Sequence, residues 1–356
     1  MTMTLLILPG DGIGPEIVAA TVSVLRRADE VFGLGLSFET RQIGLATLKT
    51  EGTTLPQPVL QAVAGTDGVI LGPVSHLDYP PADQGGVNPS GILRTHFDLY
   101  ANIRPAKSRA GMTILRSPMD LVIVRENTEG FYADRNMHTG IGEFMPTEDM
   151  ALAVRKVTAK ACRRIARTAF DLARGRRRKV TAVHKQNVLR ISDALFLREV
   201  RAVAADYPDV ALDDMLVDAA TAHLIRSPSR FDVIVTTNMF GDILSDEASE
   251  LAGSLGLGAS LNAGDDRAVA QAQHGSAPDI AGQDRANPTA LLLSAAMLLR
   301  WSGGRRPDGG PLLMAANALE TAVEAAIATP AERTADLGGP LGTQAFAAAV
   351  TRRLAA

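Results

Sequence analysis

Short apolar runs alternate with helical stretches along this chain, and this alternation limits the possible folds more than any other feature. The runs occupy residues 5–8, 68–71, 121–124, 180–183 and 233–235. Short apolar runs of this kind are typical of strands that are buried on both faces. Because strands that alternate with helices usually pair in parallel, the pattern predicts an α/β fold with a largely parallel central sheet.

The stretches between these strands carry helical spacing or helix start signals. They predict helices at residues 15–32, 150–174, 191–205, 242–255 and 288–301. Residues 72–92 and 256–287 are rich in Gly, Pro, Asn and Asp and are predicted to be long loops. Because loops of this length usually carry function, the functional residues are expected in or beside them.

The charge and cysteine content limit the kind of partner and the compartment that are expected for this chain. The chain of 356 residues carries 36 Lys and Arg against 39 Asp and Glu, which provides no overall field for nucleic acid. Its single cysteine, Cys162, cannot form an internal disulfide. No apolar run reaches the roughly 20 residues that span a bilayer, and residues 290–299 are predicted to form a buried helix. A cytoplasmic protein that acts on a small molecule, without nucleic acid or membrane, is expected.

Asp242 and Asp246 are the first candidate for chemistry. They lie four residues apart in a predicted helix, so both carboxylates project from one face and suit a shared Mg²⁺ or Mn²⁺. The alternative is a helix cap plus a solvated surface charge. Asp218 follows an apolar stretch and either completes the metal site or caps the next helix.

Basic residues beside the predicted strands suit an acidic substrate. Arg94 and Arg104 bracket a segment predicted to be helical, and Arg125 follows a strand. Their planar guanidinium groups match the carboxylates of a di- or tricarboxylic acid, whereas Arg135 has no such placement. Lys185 follows the strand at 180–183, at the edge of a parallel sheet where ligands usually bind, and a lysine there can accept a proton.

Two further motifs have competing interpretations. Tyr132 is either a proton donor or an amphipathic interface residue. The glycines at 10, 12 and 14 resemble a dinucleotide fingerprint, but the third comes one residue early, which favours a tight strand-to-helix turn. The stronger candidate for holding an adenosine group is the loop 274–280 with Asn287, where Asp279 can bind both ribose hydroxyls and repel a 2′-phosphate.

Taken in order, five motifs resemble the isocitrate/isopropylmalate dehydrogenases, a family of metal-dependent β-decarboxylating dehydrogenases. They are LPGDGIGPE at 8–16, DLYANIRP at 98–105, RENTEG at 125–130, NMFGDILSD at 238–246 and HGSAPD at 274–279. The resemblance implies a two-domain fold that is not a standard Rossmann fold. One domain spans residues 1–100 and 250–356 and binds the cofactor, and residues 101–249 bind substrate and dimerise, with the active site in the cleft between them.

The resemblance also implies a role for each candidate residue. Arg94, Arg104 and Arg125 match the residues that hold the malate moiety, and Asp242 and Asp246 match metal ligands. Lys185 and Asp218 match residues that the neighbouring subunit of a homodimer contributes, Asp218 as a further metal ligand. The residues that match the NAD site are His274, Gly275, Ser276, Ala277, Asp279, Ile280 and Asn287.

The implied reaction is the oxidative decarboxylation of a 3-substituted malate, a small hydroxy-di- or tricarboxylate, to a 2-oxo acid and CO₂. Lys185 helps to remove the C2 hydroxyl proton as a hydride leaves for NAD⁺, with Mg²⁺ or Mn²⁺ stabilising the negative charge. After CO₂ is lost, Tyr132 protonates the carbon. NAD is favoured over NADP because Asp279 and Ile280 stand where NADP-using relatives have a lysine and a tyrosine.

The substrate's substituent is predicted from a departure in the loop 87–91. Isopropylmalate enzymes of the family have a glutamate and two leucines where this chain has Val87, Ser90 and Gly91. Ser90 offers a hydroxyl, which favours a polar substituent, as in isocitrate, homoisocitrate, tartrate or malate. The alternative is 3-isopropylmalate, since Val87 and Ile92 can line an apolar pocket.

Two other classes remain as competing hypotheses. A non-catalytic regulatory homologue is expected to lose part of the constellation, yet every matched residue is present. A Rossmann hydroxyacid dehydrogenase needs no metal and would bind NAD at residues 10–14.

A second departure from the family pattern concerns the cofactor. Gln271 stands where the family commonly has a glutamate, which removes a charge beside the nicotinamide and bears on cofactor affinity.

Overall fold

A computed structural model of the chain describes residues 2–109, 111–112, 115, 117–132, 137–138 and 140–354. These residues form two compact units. The first unit is Met1–Leu93, Ser254–Leu261 and Asp266–Ala356, and the second unit is Arg94–Gly253 and Asn262–Asp265. The division at residues 100 and 250 that the resemblance implies remains a prediction about domains.

Strands and helices alternate through much of the described chain. The strands are β1 (Met3–Leu8), β2 (Leu36–Thr40), β3 (Gly68–Leu71), β4 (Ala101–Lys107), β5 (Asp120–Glu126), β6 (Glu143–Thr147), β7 (Met150–Ala153), β8 (Lys179–His184), β9 (Ala211–Leu216), β10 (Val233–Thr236), β11 (Leu261–Ala263) and β12 (Ala268–Gln271). The α-helices are α1 (Gly14–Phe32), α2 (Leu45–Glu51), α3 (Gln57–Gly65), α4 (Pro89–His96), α5 (Ala159–Arg174), α6 (Ser192–Ala204), α7 (Val217–Arg226), α8 (Asn238–Ala252), α9 (Thr289–Gly303), α10 (Gly310–Ala328) and α11 (Thr343–Arg353).

The first unit contains a parallel set of strands in the order β2-β1-β3-β12. Leu5 on β1 and Ile70 on β3 are fully buried, as the uninterrupted apolar runs predict. Helices α1, α9, α10 and α11 pack in the same unit, and Leu298 of α9 lies against Gly68. The predicted buried helix at 290–299 is therefore part of the core of this unit.

The second unit contains the order β4-β5-β10-β8-β9, in which only the β4–β5 pair is antiparallel among the described residues. Side chains alternate across β5. Val122 and Val124 pack with α5 and α6, whereas Leu121 and Ile123 pack with α7 and α8. The largely parallel α/β fold predicted from the sequence is confirmed.

The carboxyl ends of the parallel strands bring several candidate residues to one edge of the second unit. Arg125 is near the end of β5, Lys185 follows β8, and α8 begins directly after β10. Because ligands of open parallel sheets usually bind outside these ends, this edge is where chemistry is expected.

Three sequence predictions about secondary structure are wrong. The helix predicted at 150–174 begins only at residue 159, because residues 150–153 form β7, paired with β6. The helical segment predicted between Arg94 and Arg104 is the end of α4 followed by β4. The loop predicted at 256–287 contains β11 and β12.

One helix, α10, is long and apolar enough by length and composition to cross a membrane. The sequence analysis found no apolar run long enough to span a bilayer, and Glu320 and Glu324 do interrupt this one. Its residues Leu312, Leu319 and Val323 are fully buried inside the first unit. A core helix therefore accounts for its composition.

Candidate active site

Arg104 brings Asp242 and Asp246 together in the second unit. Its guanidinium Nη1 lies 3.2 Å from an oxygen of Asp242 and 3.4 Å from one of Asp246, and it donates to Ser245 Oγ at 2.6 Å. Both aspartates project from one face of α8, as their spacing predicts. Burial and the charge of Arg125 lower the pKa of Arg104 to about 10.

Several of the other candidate residues contact Asp242. Arg125 forms an ion pair with it, and the Tyr132 hydroxyl donates to its Oδ2 at 3.1 Å. Burial alone would raise the pKa of Asp242, but the positive charges of Arg125, Arg104 and Arg94 outweigh burial and hold the pKa below its ordinary value. All three arginines predicted to hold a malate moiety therefore act on one carboxylate.

Asp246 differs from Asp242 in its environment. Its side chain is 55% exposed, against 35% for Asp242. Burial raises the pKa of Asp246, and Arg104 offsets only part of that effect. The carboxylate oxygens of this pair are hard ligands, and such a donor set fits Mg²⁺ or Mn²⁺ better than zinc.

Asp218 does not join that pair within the described chain. No group of three His, Cys, Asp or Glu side chains that could hold a metal occurs among the described residues. Instead, Asp218 lies in the first turn of α7 and its Oδ1 is 2.7 Å from Lys185 Nζ, and this hydrogen bond lowers the pKa of Asp218. Its assignment as a ligand contributed across a dimer stays a prediction.

Asn238, the first residue of α8, supports the cluster, although sequence reasoning gave it no role. Its Oδ1 accepts from Arg125 Nε and its Nδ2 donates to the Glu129 carbonyl, both at 2.9 Å. Gly241 is required one turn later, since a Cβ there would lie 2.6 Å from the Arg125 Cβ. Close packing of α8 on β5 thus holds Arg125 in place. Arg135 lies outside the described residues.

The predicted cofactor loop, residues 274–280 with Asn287, lies in the first unit. The His274 ring donates from Nδ1 to the Gly275 carbonyl at 3.0 Å, which leaves its buried Nε2 as an acceptor with no partner among the described residues. Burial lowers the pKa of His274 and so favours this neutral form. The carboxylate of Asp279 is exposed. A nucleoside carries amino and hydroxyl groups that can donate hydrogen bonds. The buried His274 Nε2 and the exposed Asp279 carboxylate are acceptors that fit such a ligand.

The tight glycine turn predicted at 10–14 supports this loop. Ile13 N donates to the Ser276 carbonyl at 2.8 Å, and a Cβ on Gly12 would lie 2.0 Å from that oxygen. Asp11, which sequence reasoning passed over, accepts from Ser75 N at 3.0 Å, and Ser75 Oγ bonds Ser276 Oγ at 2.7 Å. Its place between two glycines with positive φ was the available signal.

The remaining members of the predicted cofactor site have structural partners or unusual backbone. Asn287 donates to Asp336 at 3.0 Å and accepts from Thr289 N at 3.0 Å at the start of α9. Ala277 has a φ of +37°, a region that an alanine rarely adopts. Ile280 ends the short turn of 3₁₀ helix at Pro278–Ile280. These features give the loop a defined shape.

The loop that was predicted to contact the substrate's substituent also lies in the first unit. Ser90 is 7% exposed and its hydroxyl donates to Gln271 Oε1 at 2.9 Å. Asn88 Oδ1 accepts from Gly91 N at 3.2 Å near the start of α4. Both polar side chains thus have partners in the unit itself, while Val87 is half-buried and Ile92 is 36% exposed.

Comparison with known proteins identifies the family. A family model described as isocitrate/isopropylmalate dehydrogenase matches residues 4–350. The chain is 41% identical to the 3-isopropylmalate/3-methylmalate dehydrogenase of Methanocaldococcus jannaschii over 98% of both chains. It is 42% identical to the isocitrate/homoisocitrate dehydrogenase of Thermus thermophilus over 99% of both. The crystal structure of isocitrate dehydrogenase from Methylococcus capsulatus has a TM-score of 0.86 and 40% identity, covering 99% of each chain.

These relatives overturn one prediction. Most of the highly similar relatives are named 3-isopropylmalate dehydrogenase, so the predicted polar substituent is wrong and the alternative is better supported. The physical reason is that the Ser90 hydroxyl, which was expected to contact a polar substituent, is already engaged as a hydrogen-bond donor to Gln271. The family resemblance inferred from the five motifs is confirmed. The chain belongs to the isocitrate/isopropylmalate dehydrogenases, which are NAD-dependent β-decarboxylating oxidoreductases that use a divalent metal.

Proposed function

We propose that this chain catalyses the NAD-dependent oxidative decarboxylation of 3-isopropylmalate. The observation that carries the proposal is the convergence of two arginines, two aspartates and a tyrosine hydroxyl on one face of α8. The arginines provide carboxylate recognition, the aspartates provide metal ligands, and the tyrosine provides a proton.

Binding of the malate moiety falls to Arg94, Arg104 and Arg125. Arg104 and Arg125 are 5% and 2% exposed, so their guanidinium groups are held in place before a substrate arrives. These three cations outnumber the two carboxylates they face, Asp242 and Asp246, and the remaining positive charge suits an anionic substrate. The guanidinium of Arg125 lies 5.7 Å from the centre of the Tyr132 ring and restricts that ring as well.

Lys185 and Tyr132 are the proposed proton acceptor and proton donor. Tyr132 is held by its hydrogen bond to Asp242, and Lys185 by its pairing with Asp218. Asp242 and Asp246 would hold the divalent cation that the family uses, which when bound would supply positive charge close to the C2 oxygen. NAD⁺ bound at the loop 274–280 supplies the hydride acceptor.

The substituent is proposed to be an isopropyl group on two grounds. The names of most close relatives specify it. The hydroxyl of Ser90 and the amide oxygen of Asn88 are engaged within the first unit, and the neighbouring residues Val87 and Ile92 carry methyl groups that could meet an alkyl substituent. An apolar slot of this kind selects alkyl groups by methylene burial.

We also propose that the enzyme is a cytoplasmic homodimer in which Lys185 and Asp218 serve the partner's active site. The β6–β7 hairpin supports this, because every residue of both strands is exposed, including Phe144, Met145, Met150 and Leu152. An isolated two-stranded hairpin with exposed apolar side chains is marginally stable, and a second copy would cover it. Light scattering would give a dimer mass.

A panel of substrates tests the function. We expect NADH formation with Mg²⁺ or Mn²⁺ to give the highest kcat/KM for 3-isopropylmalate, with isocitrate lower by at least about tenfold, the discrimination that methylene burial provides. An equal or higher kcat/KM for isocitrate contradicts the assignment. The Ile92→Ala variant is expected to lose activity toward 3-isopropylmalate but not toward unsubstituted malate. Val31→Ala, whose side chain on α1 has similar exposure, is the control.

Cofactor choice gives a second prediction. We expect kcat/KM for NADP⁺ to be at least about 100-fold below that for NAD⁺, because a 2′-phosphate beside the Asp279 carboxylate meets like charge. The Asp279→Lys/Ile280→Tyr variant should raise the NADP⁺ to NAD⁺ ratio. Parity between the two cofactors in the unmodified enzyme contradicts the role of Asp279.

A further inference from the structure

Arg155 is the centre of a buried network in the second unit. Its side chain is 9% exposed, and its Nη1 pairs at 2.5 Å with Asp193, which is fully buried. It also donates to Ser192 Oγ at 2.7 Å and, through Nη2, to Thr237 Oγ1 at 3.0 Å. Burying two charges is costly and often stabilises no more than an apolar pair of similar volume. Net stability alone therefore does not account for this ion pair.

The second carboxylate oxygen of Asp193 fixes Lys185. It accepts a hydrogen bond from the Lys185 backbone N at 2.6 Å, at the point where β8 has just ended. Because Asp193 lies in the first turn of α6, it ties the start of that helix to the end of the strand. The ion pair with Arg155 immobilises Asp193, and Asp193 in turn holds the main chain at Lys185.

The other contacts of Arg155 lie beside Tyr132 and α8. Its guanidinium carbon is 5.8 Å from the ring centre of Phe131 and 5.6 Å from that of Phe240. Phe131 precedes Tyr132, Phe240 lies in the first turn of α8, and Thr237 directly precedes that helix. The residue after Arg155, Lys156, forms two main-chain hydrogen bonds with Gly130, at 2.8 and 3.0 Å.

We propose that Arg155 and Asp193 are positioning residues that hold Lys185 for the partner's site, and Tyr132 and the start of α8 for the chain's own site. The proposal rests on the function proposed above, since it concerns the groups that move protons in that reaction. The ion pair does not touch the acidic face of α8 itself. It acts by holding three segments of the second unit in fixed positions: the end of β8, the residues beside Tyr132 and the start of α8. Misplacement of a reacting group by about 1 Å can lower the rate roughly 100-fold.

The test is a double variant, Arg155→Met/Asp193→Leu, which replaces the ion pair with apolar side chains. Arg155→Met alone leaves a buried charge and is expected to lower Tm, whereas the double variant should recover Tm. We expect kcat of the double variant to stay about 10- to 100-fold low, with KM for substrate and for NAD⁺ nearly unchanged. A kcat that recovers together with Tm means a merely structural role and overturns the proposal.

The matched control is Arg176→Met/Asp232→Leu at the opposite end of the same strand. Arg176 Nε pairs with buried Asp232 at 2.8 Å, and Asp232 accepts from the backbone N of Lys179, the first residue of β8, at 3.3 Å. This variant should keep the kcat of the unmodified enzyme. If the double variant at residues 155 and 193 does not fold, Asp193→Asn is measured instead, and an unchanged kcat in it overturns the proposal. An unmodified enzyme without activity on any 3-substituted malate refutes the proposed function instead.

Discussion

Replacing Lys185 with methionine is expected to lower kcat by about 10²- to 10⁴-fold, the usual contribution of a positioned proton-transfer group. Methionine keeps the length of the side chain but removes the amine that lies 2.7 Å from Asp218. Because the Lys185 backbone N donates to Asp193 in either case, the fold should persist. Steady-state NADH formation gives kcat, and thermal unfolding by circular dichroism checks the fold.

Lys179→Met is the control for that variant. Lys179 begins the strand that Lys185 follows, and its Nζ lies 2.9 Å from Asp213. The exposure of its side chain is 32%, close to the 27% of Lys185. We expect it to retain full activity. A Lys185→Met enzyme with near-normal kcat would remove Lys185 from the mechanism.

The same variant tests whether active sites are shared. If Lys185 serves the partner's site and Tyr132 its own, refolding Lys185→Met together with Tyr132→Phe produces mixed dimers in which one site has both native groups. Activity in the mixture should then exceed that of either variant alone. Absence of recovery in confirmed mixed dimers contradicts sharing, while the kcat loss of each variant would still stand.

Removing the divalent cation with EDTA is expected to abolish NADH formation, and excess Mg²⁺ or Mn²⁺ should restore it. The variant Asp246→Asn is expected to raise the metal concentration needed for half-maximal activity by at least about 100-fold, because a ligand contributes more than its supporting residues do. Asp246 is the cleaner choice, since Asp242 also pairs with Arg125 and replacing it would leave buried cations.

Glu247→Gln is the matched control for the metal experiment. Glu247 follows Asp246 on α8 and is also an acid whose pKa burial raises, here to about 7. An effect confined to Asp246→Asn supports a metal ligand. If both variants shift the metal dependence equally, the effect is a general loss of negative charge on α8, and the assignment of Asp246 fails.

The sequence predicted the five most apolar strands, β1, β3, β5, β8 and β10, but not the other strands that the structure describes. Apolar runs such as 68–71 mark a strand because nothing polar could be buried there without a partner. The helix predicted to start at residue 242 begins four residues earlier, at Asn238. Gly241, in this first turn, is required for the close approach to Arg125, a contact between residues far apart in the chain that no local pattern contains.

The sequence indicated which residues form the candidate site, but not which groups they form hydrogen bonds with. Ser90 was interpreted as a hydroxyl offered to a substrate, and the partner that engages it, Gln271, lies 181 residues away. Asp11 was overlooked for the same reason, because it accepts from the backbone N of Ser75, 64 residues away. Motif order identified the family, whereas the choice of substituent depended on such distant contacts.

The support of the cofactor loop has a consequence for how this enzyme could change over generations. Ser276 is anchored to the glycine turn and to Ser75 through buried contacts, so its surroundings tolerate little substitution. Asp279, three residues on, is exposed and can be exchanged at small cost to stability. A descendant could therefore adopt a different electron carrier through a few surface replacements, with the frame beneath them inherited intact.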